Sequence, residues 1–106
     1  MTTTRERPVA DPTVLYAEFT ALPGRADEVA RLIDDYGDEV RRAAGTVAFV
    51  VHRKREDPAC FFVYERYESE EAFQAHLSAS ASAAFNAVLR DLVADGGSSL
   101  TFLTDV

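Results

Sequence analysis

The sequence predicts an α+β fold of the ferredoxin-like, split βαβ kind, a four-stranded antiparallel sheet carrying helices on one face. Three observations predict it. Strand-like and helix-like patterning follow in the order strand, helix, strand, strand, helical region, strand. The two central strands are joined by Arg55-Glu56-Asp57-Pro58-Ala59, a turn-rich connection that suits a hairpin. No internal repeat or long linker divides the 106 residues, so residues 13–106 read as a single domain behind a loose segment, Met1 to Pro12.

The first strand is expected over Val14 to Leu22, where Leu15, Ala17 and Phe19 alternate with Val14, Tyr16 and Glu18 before Pro23-Gly24 ends the run. A helix is expected from about Ala26 to Ala44. Acids fill its first turn, Arg41 and Arg42 its last, and Val29, Leu32, Ile33, Tyr36 and Val40 form its buried stripe, with Tyr36 read as packing. Gly45 is the C-terminal breaker. The second strand runs Thr46 to Lys54 and the third Cys60 to Glu68. In the third, Phe61, Val63, Glu65 and Tyr67 share one face and Phe62, Tyr64 and Arg66 the other.

Ser69 followed by Glu70 and Glu71 is a helix start, the hydroxyl capping a free N–H and the acids complementing the positive end of the helix. Ala72, Phe73, His76, Leu77 and Ser80 then fall on one stripe, which places a titratable ring against apolar surface. Serines at 78, 80 and 82 weaken the helix, Phe85, Val88, Leu89, Leu92 and Val93 resume the stripe as far as Gly96-Gly97, and Leu100 to Val106 is the last strand. Large apolar residues occupy both faces of the strands while helices cover only one. The open face is therefore expected to meet that of a second copy, making a homodimeric α+β barrel.

Composition narrows the function classes. A net charge of −7 disfavours phosphate-backbone binding, so nucleic acid is not an expected partner. The basic run His52-Arg53-Lys54-Arg55 reads as a solvated strand end. No apolar run approaches the roughly 18 residues that span a bilayer, and Met1 to Pro12 lacks the apolar middle of a secretory signal, so a cytoplasmic protein without membrane insertion is expected. A single cysteine, Cys60, permits no internal disulfide and no cysteine-rich metal site, and it reads as a small buried hydrophobe. No metal-ligand spacing, glycine-rich phosphate loop or serine-nucleophile signature is present.

Two residues stand out chemically. An imidazole has an ordinary pKa near 6.5, so His76 is a candidate proton acceptor near neutral pH; it is equally a semi-buried helix residue bonded to a carboxylate such as Glu65. Glu65 shares its face with Phe61, Val63 and Tyr67 and must be paired or lie at an opening, whether it orients His76 or bridges to Arg53 or Arg66. Tyr16, Phe49, Tyr64, Phe73 and Phe85 are candidates to line an aromatic substrate pocket, although the same spacing serves core packing.

Pro23-Gly24, Gly45, Asp57-Pro58, Tyr64-Glu65-Arg66-Tyr67, Ser69, Glu71-Ala72-Phe73 and Ala75-His76-Leu77 together resemble the antibiotic biosynthesis monooxygenase domain family over about residues 14–106. The resemblance implies a dimeric α+β barrel. It also implies a cofactor-independent monooxygenase that oxidises a phenolic, quinol or anthrone-like (polyketide-like) small molecule with O2, with His76 and Glu65 as catalytic residues. The alternative within the same fold is a non-catalytic dimeric small-molecule-binding or stress-related module; isomerase-like and haem-binding or haem-degrading members make a further one. The chain departs from many members in having Ala43-Ala44-Gly45 for Glu-Pro-Gly and Phe49 for a strand tyrosine. Haem-degrading members resemble one another in a helix tryptophan at or near position 76 and a later histidine, where this chain offers His76, Phe85 and Asn86.

Overall fold

A computed structural model describes residues 11–106. The expected loose segment Met1 to Pro12 lies outside these, but for its last two residues. The chain runs β1 (Thr13–Thr20), α1 (Ala26–Arg42), β2 (Thr46–Arg53), β3 (Cys60–Tyr67), α2 (Glu70–Ser78), α3 (Ser80–Leu89), a single 3-10 turn (Ala94–Gly96) and β4 (Ser99–Leu103). All strand pairs are antiparallel in the order β2-β3-β1-β4, which is the split βαβ sheet.

Strand alternation sets the layers. Leu15, Ala17, Phe19, Phe49, Phe61, Val63 and Tyr67 point toward the helices and meet Val29, Ile33 and Val40 of α1, Phe73 of α2, and Phe85 and Leu89 of α3 in one core. α1 carries Asp27 and Glu28 in its first turn and Arg41 and Arg42 in its last, as its dipole favours. It ends at Arg42, earlier than expected, because Ala43 is already extended and Gly45 turns the chain at φ +89°. A Cβ on Gly45 would stand 2.7 Å from that of Ala72, so this turn packs directly on α2.

Beyond α1, three elements depart from their expected bounds by more than one residue. Regular pairing of β1 stops at Thr20; Ala21 keeps an isolated bridge to Val93, and the Leu22 N–H donates to the Leu92 carbonyl at 2.8 Å. The second helical region, expected as one helix or two, is two, because Ala79 is extended (φ −66°, ψ 143°). α3 ends at Leu89, and Leu92 and Val93 are buried through a turn instead of a continuing helix. Last, β4 occupies Ser99–Leu103, where its pairing with β1 runs from Glu18↔Ser99 to Val14↔Leu103. The stripe expected on α2 is also narrower: Phe73 is buried, whereas Leu77 and Ser80 are exposed.

The sheet face away from the helices is open. Tyr16 stacks on Phe62 there, with ring centroids 4.7 Å apart, beside Tyr64, Val50 and Leu103. Val50 is 44% and Leu103 41% exposed. Arg66 on this face pairs with Asp105 at 2.5 Å and 3.1 Å. Among the described residues no helix is long and apolar enough to cross a membrane.

Candidate functional site

Register builds the site. Glu65 lies at the centre of the sheet, paired with Leu15 on β1 and Phe49 on β2, so a carboxylate projects from the floor of the apolar layer. It is 6% exposed, and two residues along the same face Tyr67 donates its hydroxyl to Glu65 Oε1 at 2.7 Å. Above this floor comes α2, whose start is fixed by the Ser69 hydroxyl accepting the Ala72 N–H at 3.1 Å. One turn beyond buried Phe73, the helix presents His76 over Tyr67, with ring centroids 5.0 Å apart. His76 Nε2 lies 3.9 Å from Glu65 Oε1 and 3.4 Å from Tyr36 Oη of α1. Tyr36 also reaches Ser82 Oγ of α3 at 2.6 Å and stacks on Phe85 at 4.1 Å, while Phe49 meets its edge at 5.8 Å.

These side chains wall a cavity of about 100 Å³ between sheet and helices. His76, Glu65, Phe49, Phe73 and Phe85 all line it, together with Tyr36 and Ser82, and Leu77 and Leu100 stand among the exposed residues at its wall. Tyr16 and Tyr64 do not reach it. They are directly paired across β1 and β3 and point to the open face, because strand neighbours of Leu15 and Glu65 must face the other way. The alternative ion pairs for Glu65 are not made: Arg66 is held by Asp105, and Arg53 by the Pro58 carbonyl and Asp27.

Burial governs the electrostatics. It raises the Glu65 carboxyl above the ordinary range, an effect opposed in part by the Tyr67 hydroxyl. It pulls His76 below the ordinary imidazole value, so the ring is uncharged at neutral pH. Burial and the adjacent Glu65 carboxylate push the Tyr67 phenol far up, and burial also raises Tyr36. The site thus offers one uncharged imidazole able to take a proton, with a buried carboxylate 3.9 Å away to face the cation that results. No group of three or more His, Cys, Asp and Glu suited to a metal ion occurs among the described residues.

Three site residues escaped the sequence reading. Tyr36 sits on the buried stripe of α1, and its polar tip needed a partner that spacing alone does not identify. Ser82 looked only like a weak helix former, yet it is 3% exposed and bonds both Tyr36 and the His76 carbonyl. Tyr67 could have been assigned: it lies two residues from Glu65 on the same strand face, within reach of a hydroxyl–carboxylate bond.

The sequence model described as antibiotic biosynthesis monooxygenase matches residues 12–88. No curated protein matches the chain in sequence. Among solved structures, protein PA3566 from Pseudomonas aeruginosa superposes with a TM-score of 0.86 at 22% identity, covering 94% of this chain and 99% of its own. Protein Rv0793 from Mycobacterium tuberculosis gives 0.83 at 19% identity, with 91% and 96% covered. SnoaB, a cofactor-independent oxygenase from Streptomyces nogalater solved as a mutant, gives 0.79 at 20% identity, with 91% and 94% covered. At these identities the likeness is one of fold.

Proposed function

The chain belongs to the antibiotic biosynthesis monooxygenase family, and on that premise we propose that it is an oxygenase that uses His76 as the base for a phenolic, quinol or anthrone-like small molecule. The observation that carries this reading is an uncharged, 14% exposed imidazole at the wall of an aromatic cavity, with a buried carboxylate behind it. Removing a proton from such a substrate gives an electron-rich anion that reduces O2 directly. In an anthrone the methylene carbon loses both hydrogens and becomes a carbonyl; one oxygen atom of O2 ends in that carbonyl and the other leaves as water, so the substrate supplies all four electrons. The protein's part is to accept the proton at His76, to return it to the departing oxygen, and to keep bulk water from the anion. The charge on the imidazolium is offset by Glu65, where a pair near 4 Å attracts by about 4 kcal/mol at an effective dielectric of 20, before desolvation is subtracted. The description of the Streptomyces structure as a cofactor-independent oxygenase supports the same chemistry.

The cavity's size favours a second reading. About 100 Å³ is less than the roughly 150 Å³ that holds one benzene ring, so a ligand must displace the rim at Leu77 and Leu100. A module that binds a small ligand without turning it over fits that size as well. Haem, larger than any of these substrates, would demand a greater displacement of the rim, and His76 is the one imidazole lining the cavity. We read the open face, with Tyr16, Phe62, Tyr64, Val50 and Leu103, as the surface that pairs two copies sheet to sheet. Oxygen uptake by metal-free protein with a panel of hydroquinones and anthrones decides between oxygenase and binding module. Uptake lost in a folded His76→Ala protein supports the oxygenase; no uptake with any compound, alongside ligand binding, supports the module.

A further inference from the structure

The hydrogen bonds around His76 form a chain whose direction is fixed at one end. Ser82 Oγ lies 2.6 Å from the His76 backbone carbonyl, and a carbonyl only accepts, so the single Ser82 proton is committed there. Tyr36 Oη is 2.6 Å from Ser82 Oγ, and Tyr36 must therefore be the donor in that bond. With its one proton spent, Tyr36 Oη presents only lone pairs to His76 Nε2 at 3.4 Å. The other group facing Nε2 is Glu65 Oε1 at 3.9 Å, which already accepts the Tyr67 hydroxyl. An unprotonated Nε2 would look at two acceptors.

We infer that Tyr36 and Ser82 are positioning residues that hold neutral His76 in the Nε2–H tautomer, leaving Nδ1 as the atom that takes the substrate's proton. The role of Nδ1 in turnover rests on the oxygenase reading; the tautomer does not. Nδ1 has no hydrogen-bond partner among the described residues, and no buried side-chain nitrogen or oxygen among them lacks one. Nδ1 is therefore solvent-accessible, and His76 lines two cavities, the aromatic one and a second of about 180 Å³ between the end of α1 and the α2–α3 junction, walled by Val40, Ala44, Ala75 and Ala79. The chain closes on itself, from the His76 ring through Tyr36 and Ser82 to the His76 carbonyl, so it ties the ring's tautomer to the α2–α3 break at Ala79.

The test is the ring ¹⁵N spectrum of the whole, substrate-free protein at about pH 8, above the ordinary imidazole pKa near 6.5. Exposed His52, the other histidine, gives an internal reference. Wild-type His76 should show a protonated Nε2 and an unprotonated Nδ1. In Ser82→Ala the Tyr36 proton loses its acceptor and turns to Nε2, so the Nδ1–H form becomes the major one; Ser82→Thr restores the wild-type pattern. A wild-type Nδ1–H tautomer overturns the inference, as does a Ser82→Ala spectrum identical to wild type. Should a variant fail to fold, the wild-type spectrum alone decides. The correct tautomer in a protein that consumes no oxygen sinks the oxygenase reading and leaves this one standing, and the reverse result does the opposite.

Discussion

Tyr67→Phe isolates the bond that keeps a carboxylate in the apolar layer. The substitution removes one oxygen and no carbon, so the fully buried ring keeps its packing on Phe73 and His76. What is lost is a 2.7 Å hydroxyl–carboxylate bond to a group that is 6% exposed. Bonds to charged groups of this kind contribute about 1.5–3 kcal/mol, which gives an expected loss of about 2 kcal/mol at pH 7. The loss depends on pH in a definite sense. Burial holds the folded-state Glu65 carboxyl above 4.5, so the folded protein binds its proton more readily than the unfolded chain, and ionisation costs stability as pH rises through the folded value. Removing the Tyr67 donor raises that value further. Below 4.5 the carboxyl is protonated in both states, and the mutational loss should shrink to about 1 kcal/mol or less. Urea denaturation of both proteins at pH 7 and pH 4 measures it. A loss under about 0.5 kcal/mol at pH 7, or one as large at pH 4 as at pH 7, would refute the reasoning.

Three further outcomes follow from the same structure. Gly45→Ala puts a Cβ 2.7 Å from that of Ala72 at φ +89°, and should destabilise by about 2 kcal/mol or more in thermal unfolding, whereas a change within about 0.5 kcal/mol would contradict that packing. Ser69→Ala removes the cap of α2 and should cost about 1 kcal/mol, with increased amide exchange confined to the first turn at Glu70 to Phe73; protection unchanged there would show that the cap is dispensable. Light scattering should give a dimer mass for the wild type and a monomer for Val50→Asp combined with Leu103→Asp, while a monomeric wild type at micromolar concentration would rule out the sheet-to-sheet pairing.

Where local chemistry and periodicity agreed, the structure was legible from residues alone. β3 was expected over Cys60 to Glu68 and ends one residue sooner, because strict alternation and a capping serine with two acids mark the same boundary. Apolar spacing misled where burial continued without regular structure. Leu92 and Val93 extend the α3 stripe in sequence, yet they are buried through a turn, and Ala21 continues the β1 pattern while keeping an isolated bridge to Val93 and an N–H bond to the Ala59 carbonyl. For the site, His76 and Glu65 were legible as polar groups on apolar faces. Tyr16 and Tyr64 fail to reach the cavity for a reason alternation already contained, since each neighbours a residue that points inward. The Tyr36–Ser82–His76 chain was not legible. It joins three helices, and the meeting of hydroxyls 46 positions apart is set by tertiary packing that spacing does not encode.

The central claim is that an uncharged His76 accepts the proton that starts the reaction. Oxygen uptake with the best substrate of the hydroquinone and anthrone panel, measured as kcat/KM against pH, tests it most directly, because that quantity reports the free enzyme's essential base. Wild-type activity should fall toward acid with a midpoint below 6.5, the direction in which burial moves this ring, and folded His76→Ala should lose that limb together with about 10²-fold or more in rate. A midpoint at or above 6.5, or the same acid limb and rate in His76→Ala, would contradict the account.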